Sequence, residues 1–426
     1  IELHLHTKMS AMDSVCDVES VIRQAAAWNH RALAITDHGV VQSFPDAFAA
    51  GKRHGVKIIY GMEGYLVDDA GADDSPTYHV TILAKNAAGL RDLYMLVSAS
   101  HLDYFYRHPR IPRALLVKAR SNLLIGSACA AGELFRAVLE GASDDELDRI
   151  ARFYDYLEIM PPGNDEFLVR SGRLRGIDQV QAIAARIYGI GKRLGIMVVA
   201  TGDVHFLEPA DEAYRRVLMA GQGYEDADHQ APLYYRTTYE MLRDFAFLGE
   251  RASREVVIDN PGIIAAQVEC IRPVPDELAT PQIEEAEEEV RTRTYAKARE
   301  LYKDPLPEPV MSRLQRELAS IIGNGFAVNY DIAAKLVQKS VEDGYPVGSR
   351  GSVGSSLVAA MCGITEVNPL PPHYLCGKCG YSDFDHGVAV ESGYDLPDRK
   401  CPRCGLELGK EGQSIPFETF LGFEGD

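Results

Sequence analysis

The stretch IELHLHT, residues 1–7, decides how the rest of this chain is read. Side chains alternate along a strand, so His4 and His6 share one face and present two imidazoles to one space. IMVVATGDVHF, residues 196–206, repeats the device with Asp203 and His205. Between them, short β-branched runs carry His38 (ALAITDHG), Glu63 (VKIIYGMEGY), His79 (YHVTILAK) and Cys129 (LLIGSAC), and Asp13 lies in the loop TKMSAMDS. Strand ends that face one way gather distant residues into one pocket, as the mouth of a β/α barrel does. Imidazole, carboxylate and one thiolate together suit divalent zinc, manganese or iron. The expectation is therefore an α/β barrel with a polynuclear metal site, in which Glu63 bridges ions and Asp37 orients an imidazole from behind. Ions held this way lower the pKa of bound water to about 7 and support phosphoester hydrolysis. Any one of these residues alone is better read as an ordinary hydrogen-bonding group; nine together at strand ends are not. The competing reading is a fully coordinated ion that only braces the fold.

A chain of 426 residues is long enough for two or three domains and a sizeable core. No apolar run approaches the roughly 18 residues of a membrane span. There is no signal peptide, and the chain opens on a His-bearing strand with no Met, as a fragment would. A net charge of -18 argues against gripping nucleic acid over most of the surface. The acidic run QIEEAEEEV, residues 282–290, reads as a solvated helix face. Four of the eight cysteines form C-x2-C pairs, which in a chain without a secretory signal points to zinc and a reducing cytoplasm.

Up to about residue 270 strands alternate with amphipathic helices such as DVESVIRQAAAWN, capped by Asp17, and DQVQAIAARIYGIGKRLG, an alternation that implies parallel strands in an α/β barrel or doubly wound sheet. RPVPDELATPQ then reads as a linker, followed by helical stretches and by GSRGSVGSS, residues 348–356, which runs into an apolar helix. Glycines allow close backbone approach, and Ser349, Ser352, Ser355, Ser356 and Arg350 add donors, so the loop reads as a phosphate site suited to a nucleoside triphosphate. It is no Walker A motif, because no Gly-Lys-Ser/Thr ends it. Cys376, Cys379, Cys401 and Cys404 offer four thiolates to one tetrahedral zinc, a closed and hence structural site.

These motifs resemble, over essentially the whole chain, the PolC-type bacterial DNA polymerase III alpha subunits. ELHLHTKMSAMDSV, ALAITDHGVVQSFPDA, YGMEGYLVDD and VVATGDVHFLEP are similar to the PHP (polymerase and histidinol phosphatase) domain of that family. SIIGNGFAVNYDIAAKLV, DGYPVGSRGSVGSSLVA and IPFETFLGFEGD are similar to its early polymerase module. The resemblance implies a PHP-type β/α barrel over residues 1–270, then a linker and the N-terminal part of a Pol-beta-like α+β palm over 271–426, with a zinc module at about 373–410. It implies that the nine barrel residues bind up to three ions, zinc, manganese or iron, for phosphoesterase or 3′-5′ exonuclease chemistry. It also implies that Gly348, Ser349, Arg350, Gly351, Ser352, Gly354, Ser355 and Ser356 contact nucleotide phosphates. The parent protein would be a cytoplasmic, Mg2+-dependent polymerase working on primer-template DNA and deoxynucleoside triphosphates, with the sliding clamp and other replisome subunits as partners and no membrane.

Two departures matter. The family's exonuclease insert is absent near residues 69–77, where YLVDDAGADDSPTYHV runs straight through. The family's catalytic aspartates lie downstream of FLGFEGD, so this piece should lack them, and Asp426 is not one of them. The alternatives are a purely structural barrel that serves as scaffold, and a free-standing phosphatase resembling histidinol-phosphate phosphatase. In the latter the cysteine pairs and the glycine-serine loop have no role.

Overall fold

The computed structural model describes residues 1–69, 75–224, 226–275, 281–349 and 351–417. The chain forms two compact units, Ile1–Asp276 and Glu277–Asp426. Arg350, Asp426 and most of the expected insertion point at 69–77 lie outside the described residues.

The first unit is built on eight strands: β1 (Ala32–Ile35), β2 (Lys57–Val67), β3 (Tyr78–Ala84), β4 (Phe105–Tyr106), β5 (His108–Pro112), β6 (Leu123–Gly126), β7 (Tyr156–Ile159) and β8 (Met197–Ala200). They pair in the order β4-β5-β2-β3-β6-β7-β8, with β1 also on β2. The extended segment of residues 2–6 closes the sheet on itself. Its backbone bonds the chain after β8 through His6 N–H to Val204 O (2.8 Å), and it bonds β1 through Ala34 N–H to Glu2 O (2.9 Å). The buried Glu2 carboxylate secures the junction by accepting from the backbone of Leu3, His4 and Gly202.

One expectation is corrected. The sheet is not wholly parallel, because β3 runs antiparallel to both β2 and β6. β2 and β3 follow one another with no described helix between them, whereas a parallel return needs a crossover of a dozen or more residues. His79 therefore sits at the start of its strand, and the reversal is what brings it to the same mouth as the other strand ends.

Helices pack outside the ring. Val18–Ala27 is capped by the Asp17 side chain, which accepts from Ser20 N–H. Ile177–Leu194 buries Val180, Ile183, Ile187 and Ile190 on the face that meets β7 and β8. Each such side chain contributes about 1.5–3 kcal/mol. Gly191 permits the close approach, since a Cβ there would collide with Val198.

In the second unit, helices Ala286–Tyr302, Glu308–Gly323, Ala327–Glu342 and Leu357–Met361 share a core that includes Val290, Leu314, Leu318, Leu357 and Val358. A small antiparallel sheet follows: β9 (His373–Leu375) lies between β10 (Ser382–Asp383) and β11 (Gly409–Glu411). Glu317 is wholly buried and holds this core together. It pairs with Arg313 and accepts from Ser356 Oγ (2.9 Å), Leu357 N–H (3.1 Å) and Val358 N–H (2.9 Å). Glu317→Ala should leave the buried Leu357 and Val358 N–H groups and the Ser356 hydroxyl without their acceptor, costing about 3 kcal/mol in urea unfolding of this unit. A loss under about 1 kcal/mol would show that the carboxylate is dispensable.

Candidate metal centre

All nine residues expected at the barrel mouth come together in space. Glu63, 1% exposed, stands at the middle. Its Oε1 lies 3.0 Å from His79 Nδ1, 3.3 Å from His4 Nε2 and 3.4 Å from Cys129 Sγ. Its Oε2 lies 3.0 Å from His38 Nδ1 and 3.5 Å from His6 Nε2. Asp203 Oδ1 faces His6 Nε2 at 3.4 Å and His4 Nε2 at 3.5 Å. Asp13 Oδ2 faces His38 Nε2 at 3.1 Å and His205 Nε2 at 3.4 Å.

Three overlapping groups have ligand atoms within 4.8 Å of one another: His4, His6 and Asp203; His38, Glu63 and His79; and His6, His38 and His205. Backbone strain collects here too, as Asp203 and Ala128 adopt left-handed φ values of 52° and 56°. Such conformations cost about 1–3 kcal/mol and persist where the surroundings over-determine them.

Groups behind the ligands set their tautomers. His205 Nδ1 donates to the Asp203 carbonyl at 2.8 Å, and His4 Nδ1 bonds Glu158 Oε2 at 2.9 Å. Ser10 Oγ donates to Asp37 Oδ1 at 2.8 Å, leaving its oxygen to accept from His6 Nδ1 at 3.1 Å. In their neutral form all three imidazoles thus turn an unprotonated Nε2 toward the centre, the arrangement metal-binding histidines use. Asp37 acts through Ser10 and not on an imidazole directly. It also accepts from Thr7 and Ser43, which fixes the loop that carries Asp13.

Glu158 and Ser10 were missed in the sequence. A lone carboxylate inside the apolar strand YLEI was the available signal for Glu158. Gly126 makes room for it, since a Cβ there would lie 2.5 Å from Glu158 Oε1.

The electrostatics are those of a cluster built around cations. His4 Nε2, His6 Nε2, His38 Nδ1, Glu63 Oε2 and Asp203 Oδ1 are buried and lack a hydrogen-bond partner although they face one another. Burying such groups unsatisfied is costly, and a divalent ion would satisfy all of them. The residues therefore fit a metal centre.

Burial pushes His6 down to about 3, helped by the neighbouring His38 and His205. Burial acts the same way on His38, but the Asp13 and Glu63 carboxylates override it and raise this imidazole to about 10. Burial and the nearby Glu63 and Asp203 carboxylates push the Cys129 thiol well up.

Ligation must displace the His4, His38 and Cys129 protons, so metal affinity should climb with pH at least up to about 10, where the His38 imidazole loses its proton unaided. The sign reverses for the metal-free fold. There the His38 contribution is complete below pH 6.5 and is lost as pH rises through about 10. Calorimetry in buffers of different ionisation heat would register the released protons; a pH-independent affinity would contradict the assignment.

A cavity of about 650 Å³ opens beside the cluster, with Cys129, Asp203, Arg136, Arg173 and Arg215 on its wall. Arg215 bonds Asp13 Oδ1 at 2.5 Å and so ties that ligand to the helix Glu212–Gly221.

In the second unit the four cysteines converge, with Cys376–Cys404 and Cys379–Cys401 Sγ separations of 3.5 Å each. Bonds of about 2.3 Å to a tetrahedral zinc put sulfurs about 3.8 Å apart, so the set is close to the size of the ion. The two knuckles match: Gly380 N–H bonds Cys376 O and Gly405 N–H bonds Cys401 O, each at 2.9 Å. Both glycines have left-handed φ, 68° and 74°, which explains the C-x2-C-G pattern in each. Backbone N–H groups of Cys379 and Lys378 pull the Cys376 thiol down to about 6.

The glycine-serine loop is less available than its sequence implies. Ser355 and Ser356 are buried, and the N–H groups of Leu357 and Val358 are spent on Glu317. Gly348, Ser349 and Gly351 are exposed, while Ser352 and Gly354 are half-buried.

The family model for the PHP domain matches residues 2–163, and the model for the bacterial DNA polymerase III alpha NTPase domain matches residues 288–426. The PHP match spans β1 to β7 and the residues from His4 to Cys129, while β8, Asp203 and His205 lie beyond it. The DNA polymerase III PolC-type of Clostridium perfringens is 39% identical over all of this chain and 43% of its own length. That of Caldanaerobacter subterraneus subsp. tengcongensis is 40% identical and that of Bacillus subtilis 36%, each over all of this chain and 44% of the relative. Over its whole length the chain is similar to these PolC-type DNA polymerase III proteins. It spans less than half the length of these relatives. The first two alignments run over 624 residues against 426 here, so within the aligned region those relatives carry residues with no counterpart in this chain. Among the described residues no helix is long and apolar enough to cross a membrane.

Proposed function

We propose that the barrel, residues 1–270, is a three-ion metal-dependent phosphoesterase of the 3′-5′ exonuclease type. Its ligands are His4, His6, Asp13, His38, Glu63, His79, Cys129, Asp203 and His205. The observation that carries this is the set of five buried, unpartnered ligand atoms that converge on common centres. Zinc, manganese or iron would supply a Lewis acid and a hydroxide nucleophile there. This chain's own residues orient the ligands, and Arg215, Arg136 and Arg173 bring positive charge to the adjoining cavity for a phosphate.

Residues 271–426 are a linker and the N-terminal part of a Pol-beta-like palm, with a structural zinc on Cys376, Cys379, Cys401 and Cys404. The whole protein synthesises DNA from deoxynucleoside triphosphates with Mg2+ in the cytoplasm, alongside a sliding clamp and other replisome subunits. The exposed Gly348, Ser349 and Gly351 are the part of the glycine-serine loop open to nucleotide phosphates. The segment missing relative to the curated relatives corresponds to an exonuclease insert near residues 69–77.

A scaffold reading competes, favoured by the complete burial of His4 and His6, since ions held on all sides only brace strands. Metal analysis and a nuclease assay on single-stranded DNA separate the two. In the enzymatic case His6→Ala leaves the chain folded, lowers the metal content and abolishes nucleotide release. If the parent chain releases nothing and His6→Ala unfolds it, the scaffold reading stands.

A further inference from the structure

One acid on the cavity wall takes no part in the ligand cluster. Asp165 ends the turn Pro162–Asp165 and is 5% exposed. It lines the 650 Å³ cavity together with Cys129, Asp203 and Arg215. Among the described residues its carboxyl has no hydrogen bond or ion pair. The adjacent Asn164, by contrast, is bonded at both ends of its amide, to Gly202 O at 2.9 Å and to Arg236 at 3.2 Å. Leaving a buried carboxyl without a partner is costly, and such costs are retained where a ligand supplies the missing contact.

Resting on the phosphoesterase reading above, we propose that Asp165 is the catalytic acid that protonates the departing oxygen of the ester. The nine ligand groups are committed to ions, and guanidinium groups do not release protons, so Arg136, Arg173 and Arg215 cannot serve. Glu140, which also lines the cavity, is exposed. In the step, a water oxygen bonds phosphorus and its proton passes to solvent. The P–O bond to the leaving group breaks, its electron pair stays on that oxygen, and the oxygen takes the Asp165 proton. The carboxylate then regains a proton from solvent. Burial, with the Asp203 carboxylate nearby, pushes Asp165 up to about 7 in the metal-free chain.

The test uses the whole chain loaded with Mn2+ and two diesters of thymidine 5′-phosphate, with p-nitrophenyl and phenyl leaving groups. p-Nitrophenolate departs without protonation; phenolate needs it. Asp165→Asn should slow the phenyl ester about 10²-fold or more and the p-nitrophenyl ester less than about tenfold, at unchanged metal content. The variant should also melt at the parent's temperature or higher, because it removes a buried, unpartnered acid. Equal slowing of both esters, no slowing, or a melting point lower by more than about 4 °C overturns the role of Asp165. If the parent chain hydrolyses neither ester, the phosphoesterase reading itself fails, and the role of Asp165 with it.

Discussion

Cys379→Ser should release one zinc per chain and unfold the segment from β9 to β11 while the barrel stays intact. The apolar cluster of this module is small: Tyr374, Cys376, Leu396, Cys401 and Leu408, two of which belong to the proposed zinc site. Modules with so little core fold only with a metal or a disulfide, and a structural zinc contributes about 10–16 kcal/mol of apparent binding energy in small peptides. Removing one thiolate opens the site and leaves its partners as a strained group of thiols. Hydrogen exchange gives a local readout, because the amides of Cys376, Gly380, Cys401 and Gly405 are all held inside the knuckles. They should lose protection together, with the amides of β7 and β8 unchanged. Retained protection at unchanged zinc content would mean that three thiolates suffice.

Glu63→Gln should be the most damaging single change in the barrel. Every carboxylate oxygen of Glu63 is shared between ligands from different strands, so an amide removes the charge that bridges them. Outer residues that merely orient metal ligands cost about 10–100-fold in affinity, the size expected for Glu158→Gln. A central bridge should cost more, with most of the barrel metal gone on dialysis and hydrolysis at background.

A pH signature accompanies it. Burial pushes Glu63 upward, but His79, His4 and His38 hold it well below the ordinary 4.5. Its contribution to metal-free stability is thus complete above pH 4.5 and lost as pH falls below it. Parent and variant should converge in acid and diverge toward neutrality, as urea unfolding across that range would register. A constant difference at all pH values would contradict this.

What the sequence by itself determined was local. Alternation in IELHLHT and IMVVATGDVHF puts ligand pairs on one face whatever surrounds them. The two C-x2-C-G turns are specified within five residues each by thiol spacing and by a glycine that tolerates positive φ. Asp17 caps its helix because the acceptor and the free N–H groups are neighbours in the chain. The expectation that all strands run parallel failed at β3, because strand direction depends on the length and nature of the connection and not on the strand's own pattern.

Only the tertiary structure decided the rest. Glu158 reaches His4 across 154 positions, and no local rule pairs them. Glu317 takes the helix start that the glycine-serine loop was expected to keep for phosphate, through contacts 39 to 41 residues apart. Buried polar groups find their partners in three dimensions, because what they need is any acceptor or donor within about 3 Å. The residue types for chemistry are written in the chain, but which of them are already satisfied, and which are left facing a cavity, follows only from how each unit folds.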